Sequence, residues 1–466
     1  MICKLRLTGG QHAALRSHLF PGDGKEAVAI ALCGRRAGTS QHVLTVRKVV
    51  PVPYEQCAVR TRRRLTWSTD LLTPLLQEAE RRHLALVKIH SHPGWLAEFS
   101  EQDDHSDRDL FPSVYGWVDD DLPHASAVML PDGQMFGRVV SQEGRFISLA
   151  TVAVAGDDIS FWHQAPTNGH ASDILVSHQQ LFGEGTLGRL RQLSVAVVGC
   201  SGTGSIVVEQ LARLGVGKLT LVDPDRVERK NLNRILNATL EDAREKRFKV
   251  DVLARRIEEM GLGTVVQPLP LNLVDPAAVK AVAECDVAFG CMDGVEGRHV
   301  LNLLAVFYLV PYFDVGVRLE ADGSGGIDEV CGTVHYLRPD QSSLLARGVY
   351  TLEELQAEAL RRTDPEEYGE RVKANYIKGI RVDRLAVISV NMQLASMAVN
   401  EFLARLHPYR YDPNADFTIH RVSLAQGVTY KESDPTPCRV LARHAGRGDV
   451  RPLLDMPELS DGGQDS

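Results

Sequence analysis

The sequence predicts two α/β domains in tandem: an α+β domain over residues 1–155 and a doubly wound, mostly parallel domain over 176–430. Three observations carry this expectation. A chain of 466 residues is too long for one typical core. Its first third alternates strands and helices. From Leu187 onward the pattern becomes a regular alternation of apolar strands and helices, the mark of βαβ crossovers.

In chain order, 26–34 and 42–50 read as strands, followed by a helix over 69–83 with Ser68 or Thr69 as its N-cap. Residues 84–90 form an apolar strand, and 125–131 with 134–140 form a hairpin around Asp132-Gly133. Gly, Asp, Pro, Thr, Asn and His then dilute the pattern, giving a linker over 156–175. The second domain continues with strand 194–199, helix 205–214 and strand 218–223. Helix 245–260, strands 264–271 and 286–291, and helix 296–306 complete the rhythm. A charged segment, 351–371, precedes a long apolar helix over 385–406. Beyond Lys431 the chain is rich in Pro, Gly and Asp and reads as a flexible tail, 431–466.

Composition bounds the function. With 44% hydrophobic and 24% charged residues the chain has material for sizeable cores. A net charge of −8 and a pI near 6.1 argue against a nucleic-acid footprint. The local cluster Arg60, Arg62, Arg63 and Arg64 reads as a solvated strand edge. No secretory leader is legible, and the 385–406 segment carries Ser389, Asn391, Gln393, Ser396, Asn400 and Glu401, so it reads as a buried helix and not a membrane span. None of the 8 cysteines forms a CxxC pair, so a reducing, cytoplasmic setting is expected.

The first chemical constellation is His90-Ser91-His92-Pro93, then Ser100-Glu101-Gln102-Asp103. Two histidines at i and i+2 at a strand end, with Asp103 at the start of the next helix, offer two nitrogens and a carboxylate. That set leaves a coordination position open, as catalytic zinc requires. Such an ion acidifies water and polarises a carbonyl, but needs a base nearby. Ser100 is placed to hydrogen-bond an oxyanion; equally, Ser100 and Asp103 together suit a helix N-cap. These residues resemble the JAMM motif of the JAB/MPN metalloproteases, and the likeness extends over residues 1–140. The resemblance implies Glu26 as the general base and hydrolysis of the peptide or isopeptide bond after a ubiquitin-like C-terminus.

The second constellation begins at Gly199-Cys200-Ser201-Gly202-Thr203-Gly204, where a strand meets a helix and backbone amides can approach phosphates. The next strand ends in Asp223, suitably placed for ribose hydroxyls. Asp225, Asn231, Arg234, Lys249 and Asp293 follow in order. This run resembles the Rossmann-like ThiF/E1 family over residues 173–430. Carboxylate attack on an α-phosphorus builds charge, and the resemblance implies that Arg234 and Lys249 offset it, with Asn231 as a neutral donor and Asp293 holding Mg²⁺. The resemblance implies ATP-dependent adenylation of the C-terminal glycine of a ubiquitin-like protein, a homodimer, and an E2-like protein downstream.

The chain departs from that family in three places. No cysteine lies between Gly332 and Pro437, which puts thioester transfer in doubt; Cys291 and Cys331 read as small core residues. Ser343-Leu344-Leu345-Ala346 and a single Cys438 stand where paired zinc cysteines are usual, so no four-thiolate site is expected. The segment 176–183 lacks the arginine the family sends into a partner's ATP site, leaving Arg189 or Arg191 as substitutes. Two other functions stay open: activation of a sulfur carrier for biosynthesis, and a non-catalytic scaffold binding ubiquitin-like proteins.

Overall fold

Strand alternation decides the first unit. In β2 (Val28–Ala37), Ala29, Ala31 and Cys33 enter one core while Ile30 and Leu32 enter another, so both faces of the sheet are buried. The structure is a computed structural model and describes residues 2–164, 176–322, 324–374 and 386–460. The chain divides into two compact units. One comprises Met1–Pro166, Phe307–Leu309 and His444–Val450; the other takes the rest.

The first unit runs β1 (Ile2–Thr8), α1 (Gly9–Leu19), β2, β3 (Gln41–Pro51), β4 (Cys57–Arg60) and β5 (Leu65–Trp67). It continues with α2 (Leu72–Arg82), β6 (Ala85–Ser91), α3 (Glu101–Val118), β7 (His124–Met129) and β8 (Met135–Val140). β9 (Phe146–Ser148), β10 (Thr151–Ala155) and β11 (Ile159–His163) close it. Its main sheet has the order β11-β10-β1-β3-β2-β6-β7-β8-β9, with β4 and β5 a separate hairpin. Ser68 caps the turn before α2, and Gly133 takes φ +92° in the β7–β8 turn, both as the sequence suggests. β11 falls inside the stretch read as a linker over 156–175. Ile159 and Phe161 turn inward and pair with β10, an alternation hidden among polar neighbours. Residues 165–175 of that linker lie outside the described residues.

The second unit begins with α4 (Val176–Gln192), β12 (Ser194–Val198), α5 (Gly202–Arg213) and β13 (Lys218–Val222). Then come α6 (Leu240–Arg244), α7 (Lys249–Met260), β14 (Val265–Leu269), α8 (Pro276–Ala283), β15 (Val287–Gly290) and α9 (Val295–Phe307). β16 (Tyr312–Ala321), β17 (Ile327–Leu337), α10 (Leu352–Thr363), α11 (Pro365–Lys373), α12 (Ile388–Leu406), β18 (Ile419–Ser423) and β19 (Val428–Glu432) follow. The sheet order is β14-β13-β12-β15-β16-β17-β18-β19. It is parallel from β14 to β16 and antiparallel beyond, a half the βαβ rhythm did not announce. Among the described residues no helix is long and apolar enough to cross a membrane.

The expected flexible tail, 431–466, differs from what is observed over its described part. Cys438, Leu441, Leu453, Leu454 and Leu459 are buried. Residues His444–Val450 belong to the first unit, where Gly34 N donates to Gly446 O at 3.1 Å and Asp449 N to Arg35 O at 2.6 Å. A Cβ on Gly34 would stand 2.3 Å from the Arg447 carbonyl carbon, so glycine is what admits this strap. Apolar anchors spaced irregularly among Pro and Gly leave no periodic signal.

Within the second unit, α12 buries Glu401 against Arg405, Arg410 and His420; Arg405 Nε donates at 2.6 Å and His420 Nε2 lies at 2.6 Å. Burial alone would raise this carboxyl, but the His420 hydrogen bond, the Arg405 charge and the Arg410 hydrogen bond bring it down to about 2. A depressed carboxylate stabilises the fold above its unfolded value of 4.5, and that stabilisation is lost as pH falls through about 2. Glu401→Gln is therefore expected to cost about 3 kcal/mol near neutral pH. The difference from wild type in thermal midpoint should narrow steadily as the buffer is acidified. A gap independent of pH would contradict this.

Candidate functional site

The first site is built where β6 ends. His90 is its penultimate residue, paired in register with Val28 of β2, and His92 lies just beyond, its N–H donating to Met129 O at 3.1 Å. α3 delivers Asp103 from its first turn. His90 Nε2 lies 2.8 Å from one Asp103 oxygen, His92 Nε2 lies 3.3 Å from the other, and the two Nε2 atoms are 3.1 Å apart. Both rings are buried and Asp103 is 13% exposed. His92 Nδ1 faces Leu96 O at 2.8 Å, a contact that turns Nε2 toward the cluster. Three ligand atoms converging within 4.8 Å fit a cation that accepts two nitrogens and an oxygen.

Electrostatics agree with that geometry. Burial lowers His90. For His92 burial acts the same way, but the Asp103 hydrogen bond and the Leu96 carbonyl outweigh it and raise the ring above its ordinary value. Burial would raise Asp103, yet hydrogen bonds from His90, His92 and Ser100 hold it far below the usual carboxylate range. Glu26, half-buried just before β2, is pushed up to about 7 by burial; the charge of His92 pulls down and that of Asp103 pushes up. Two of the cluster's three residues, His92 and Asp103, are thus within its electrostatic reach.

Ser100 and Asp103 form a capping box on α3. Ser100 N and Oγ each lie 2.7 Å from Asp103 Oδ2, and Asp103 N donates back to Ser100 Oγ at 3.2 Å. The cap reading holds, and it fixes the Asp103 carboxylate beside the two histidines. Ser91 was not anticipated: its Oγ accepts from Ala27 N at 2.9 Å and ties the segment next to Glu26 to the end of β6. A serine between the two histidines was the available signal. The charged positions Asp104, His105, Asp107 and Asp109 along α3 look in sequence like solvated helix faces, and for two of them the structure corrects that expectation. Asp107 is fully buried between Lys88 and Arg138, with Arg138 Nη2 at 2.7 Å, and Asp104 also pairs with Arg138. His105 and Asp109 are exposed as expected.

The second site sits at the C-terminal ends of parallel strands, where doubly wound sheets bind ligands. After β12, Gly199 adopts φ +86°, and its missing Cβ would lie 2.8 Å from the Cys291 backbone. A Cβ on Gly204 would lie 1.8 Å from Gly199 O, and one on Gly202 would lie 3.2 Å from Arg234 Cδ. Gly199 and Gly204 are therefore fixed by backbone approach, while Gly202 faces side chains. Asp223, directly after β13, accepts from Cys200 N at 2.7 Å and Asp225 N at 2.8 Å. Lys249 opens α7, buried, with Nζ 2.6 Å from Asp225 and 3.8 Å from Asp223. Asn231 Oδ1 accepts from Glu228 N at 3.0 Å.

Ser201, Gly202, Thr203, Arg234 and Asp293 line one cavity of about 2550 Å³, whereas Asp223, Asp225 and Lys249 form a network tied to the glycine turn through Cys200 N, and Asn231 closes the turn after Glu228. Arg234 donates to Lys230 O at 3.0 Å. The sequence reading missed two wall elements. Arg298 of α9 is paired with Asp314 at 3.1 Å, and Tyr312 donates to the same carboxylate at 2.7 Å. Asn391 of α12 reaches the turn; a Cβ on Gly202 would lie 2.4 Å from its Nδ2. As one of three amides in that helix, with Gln393 and Asn400, it carried no signal that set it apart. Cys291 and Cys331 also line the cavity.

A family model described as "ThiF family" matches residues 176–429. The chain belongs to the ThiF family. A second model, "Prokaryotic homologs of the JAB domain", matches residues 10–143, so a JAB domain precedes the ThiF domain. Curated relatives include ubiquitin-like modifier-activating enzyme 5 of Aedes aegypti, 28% identical over 170 residues that make up 34% of this chain and 40% of the relative. The Drosophila persimilis protein of that name is 29% identical over 170 residues, again 34% of this chain and 41% of the relative. The chain thus spans about two fifths of the length of these relatives. Among solved structures, E. coli MccB with ATP aligns at 16% identity over 58% of this chain and 74% of that one, with a TM-score of 0.43.

Proposed function

We propose that this is a bifunctional protein of a bacterial ubiquitin-like system. Its JAB domain cuts the peptide or isopeptide bond after a ubiquitin-like C-terminus, and its ThiF domain adenylates the exposed glycine carboxylate with ATP. The observation that carries the reading is the convergence of His90, His92 and Asp103 beside Glu26, in one chain with a ThiF domain whose glycine turn, Arg234 and Asp293 share a cavity.

His90, His92 and Asp103 would hold zinc, which when bound supplies the Lewis acidity that polarises a scissile carbonyl. Glu26 takes the proton of the attacking water and delivers it to the leaving amine, a task suited to a carboxyl titrating near neutrality. Ser100 fixes Asp103 and borders the oxyanion. In the ThiF domain, Gly199, Gly202 and Gly204 let backbone amides meet the phosphates, and Asp223 takes the ribose. Arg234, Lys249 and Asn231 offset charge building at the α-phosphorus. Asp225 holds the Lys249 ammonium in place until substrate arrives, and Asp293 holds Mg²⁺. Tethering the two domains raises the local concentration of one site's product near the other.

ATP–pyrophosphate exchange tests the adenylating half. Exchange should require both a ubiquitin-like protein ending in glycine and Asp293, with Asp293→Ala lowering it about a hundredfold. No exchange with any such protein would overturn it. Given that no cysteine lies between Gly332 and Pro437, a thiocarboxylate product in place of protein conjugates would assign the chain to sulfur-carrier activation.

A further inference from the structure

The arginine cluster that the sequence offered as a plain strand edge stands beside the first site. Residues 61–64 are the turn joining β4 to β5, closed by Thr61 N donating to Arg64 O at 2.9 Å and Arg63 N to Thr61 Oγ1 at 3.3 Å. That turn is fastened to the candidate base, since Glu26 N donates to Thr61 O at 2.8 Å. Its other side meets the loop after the histidines: a Cβ built on Gly94 would lie 4.0 Å from Arg62 Nε. Arg60 is spent on Asp23 and on the Tyr54 ring. Arg62, Arg63 and Arg64 are exposed, and among the described residues no carboxylate lies within ion-pair distance of any of the three guanidiniums. On a chain of net charge −8, three unpaired cations on one short turn are a local inversion of sign.

The facing loop carries a second anomaly. Trp95 is 59% exposed and holds φ +63°, a left-handed conformation that a bulky side chain pays for and that is kept where the surroundings enforce it. The enforcement comes from the site itself: Trp95 N donates to His92 O at 3.1 Å, and Leu96 O meets His92 Nδ1. An exposed indole is thus anchored to a metal-ligating histidine, with the basic turn anchored to Glu26 opposite.

We infer that Arg62, Arg63, Arg64 and Trp95 form a specificity surface for an acidic peptide segment flanking the scissile bond. The guanidiniums pair with its carboxylates, and the indole covers an aliphatic stem beside them. This rests on the hydrolytic reading of the JAB domain.

The test uses the full-length zinc-loaded chain and short fluorescein-labelled peptides sharing a Gly-Gly centre but flanked by glutamate, serine or lysine runs. Anisotropy reads binding and mass spectrometry reads cleavage on the same samples. The glutamate peptide is expected to bind about tenfold more tightly than the serine peptide at low salt, with the margin closing as salt rises. Arg62→Glu/Arg63→Glu/Arg64→Glu should invert the order in favour of lysine, and Trp95→Ala should weaken the glutamate and lysine peptides while leaving the serine peptide nearly unchanged. Equal binding of the three peptides by the wild-type chain, or a preference untouched by charge reversal, would overturn the inference. Arginine-dependent binding with no cleavage of any peptide would remove the hydrolytic reading and leave the acidic-segment surface standing. Cleavage of all three peptides at one rate would do the reverse.

Discussion

Gly204→Ala is expected to abolish ATP–pyrophosphate exchange while leaving peptide hydrolysis by the same chain intact. The methyl group would be built 1.8 Å from Gly199 O, far inside contact distance, and the neighbour is backbone that cannot swing aside. The turn must open, carrying with it the Gly199 and Cys200 amides; Cys200 N is already committed to Asp223 at 2.7 Å. A displacement of about 1 Å at a group that positions phosphate costs on the order of a hundredfold in rate, and here several donors move together. Exchange assayed beside hydrolysis separates a damaged nucleotide turn from a misfolded chain. Near-wild-type exchange would mean that ATP is held elsewhere.

The second large effect belongs to Glu26. Glu26→Gln keeps the size and most of the burial of the side chain but cannot accept a proton, so hydrolysis is expected to fall by about a thousandfold with zinc content unchanged. Asp103→Asn should differ in kind. It removes a charge that His90 and His92 both contact, so bound zinc itself should drop, and with it all hydrolysis. Measuring metal content beside rate distinguishes the two. A Glu26→Gln chain that hydrolyses at the wild-type rate would remove that residue from the chemistry.

Much of both sites was legible because each is written locally. The two histidines, Ser100 and Asp103 lie within fourteen residues of chain, His90 to Asp103, and the glycine turn is continuous; strand ends and helix starts then place them by construction. What escaped is what depends on distant partners. Asp107 looks like any helix-surface aspartate until Lys88 and Arg138, from two other strands, close over it. The wall contributed by Arg298 and Asp314, with buried Tyr312 donating to Asp314, needs the parallel pairing of β15 with β16 to exist at all. The Leu96 carbonyl that orients His92 is backbone and has no letter in the sequence. In the fold, the parallel half announced itself through βαβ rhythm. The β17–β18 pairing and the strap over His444–Val450 are held by long-range backbone contacts, which composition does not encode.

The central claim, two activities acting in sequence on one substrate, is tested most directly by a ubiquitin-like precursor carrying residues beyond its terminal glycine. Offered to the wild-type chain with ATP and Mg²⁺, this precursor should be trimmed first and should then support pyrophosphate exchange. With Glu26→Gln, exchange on the precursor should vanish while exchange on the already mature protein persists. Exchange on the uncut precursor, or its loss on both substrates with Glu26→Gln, would contradict the account.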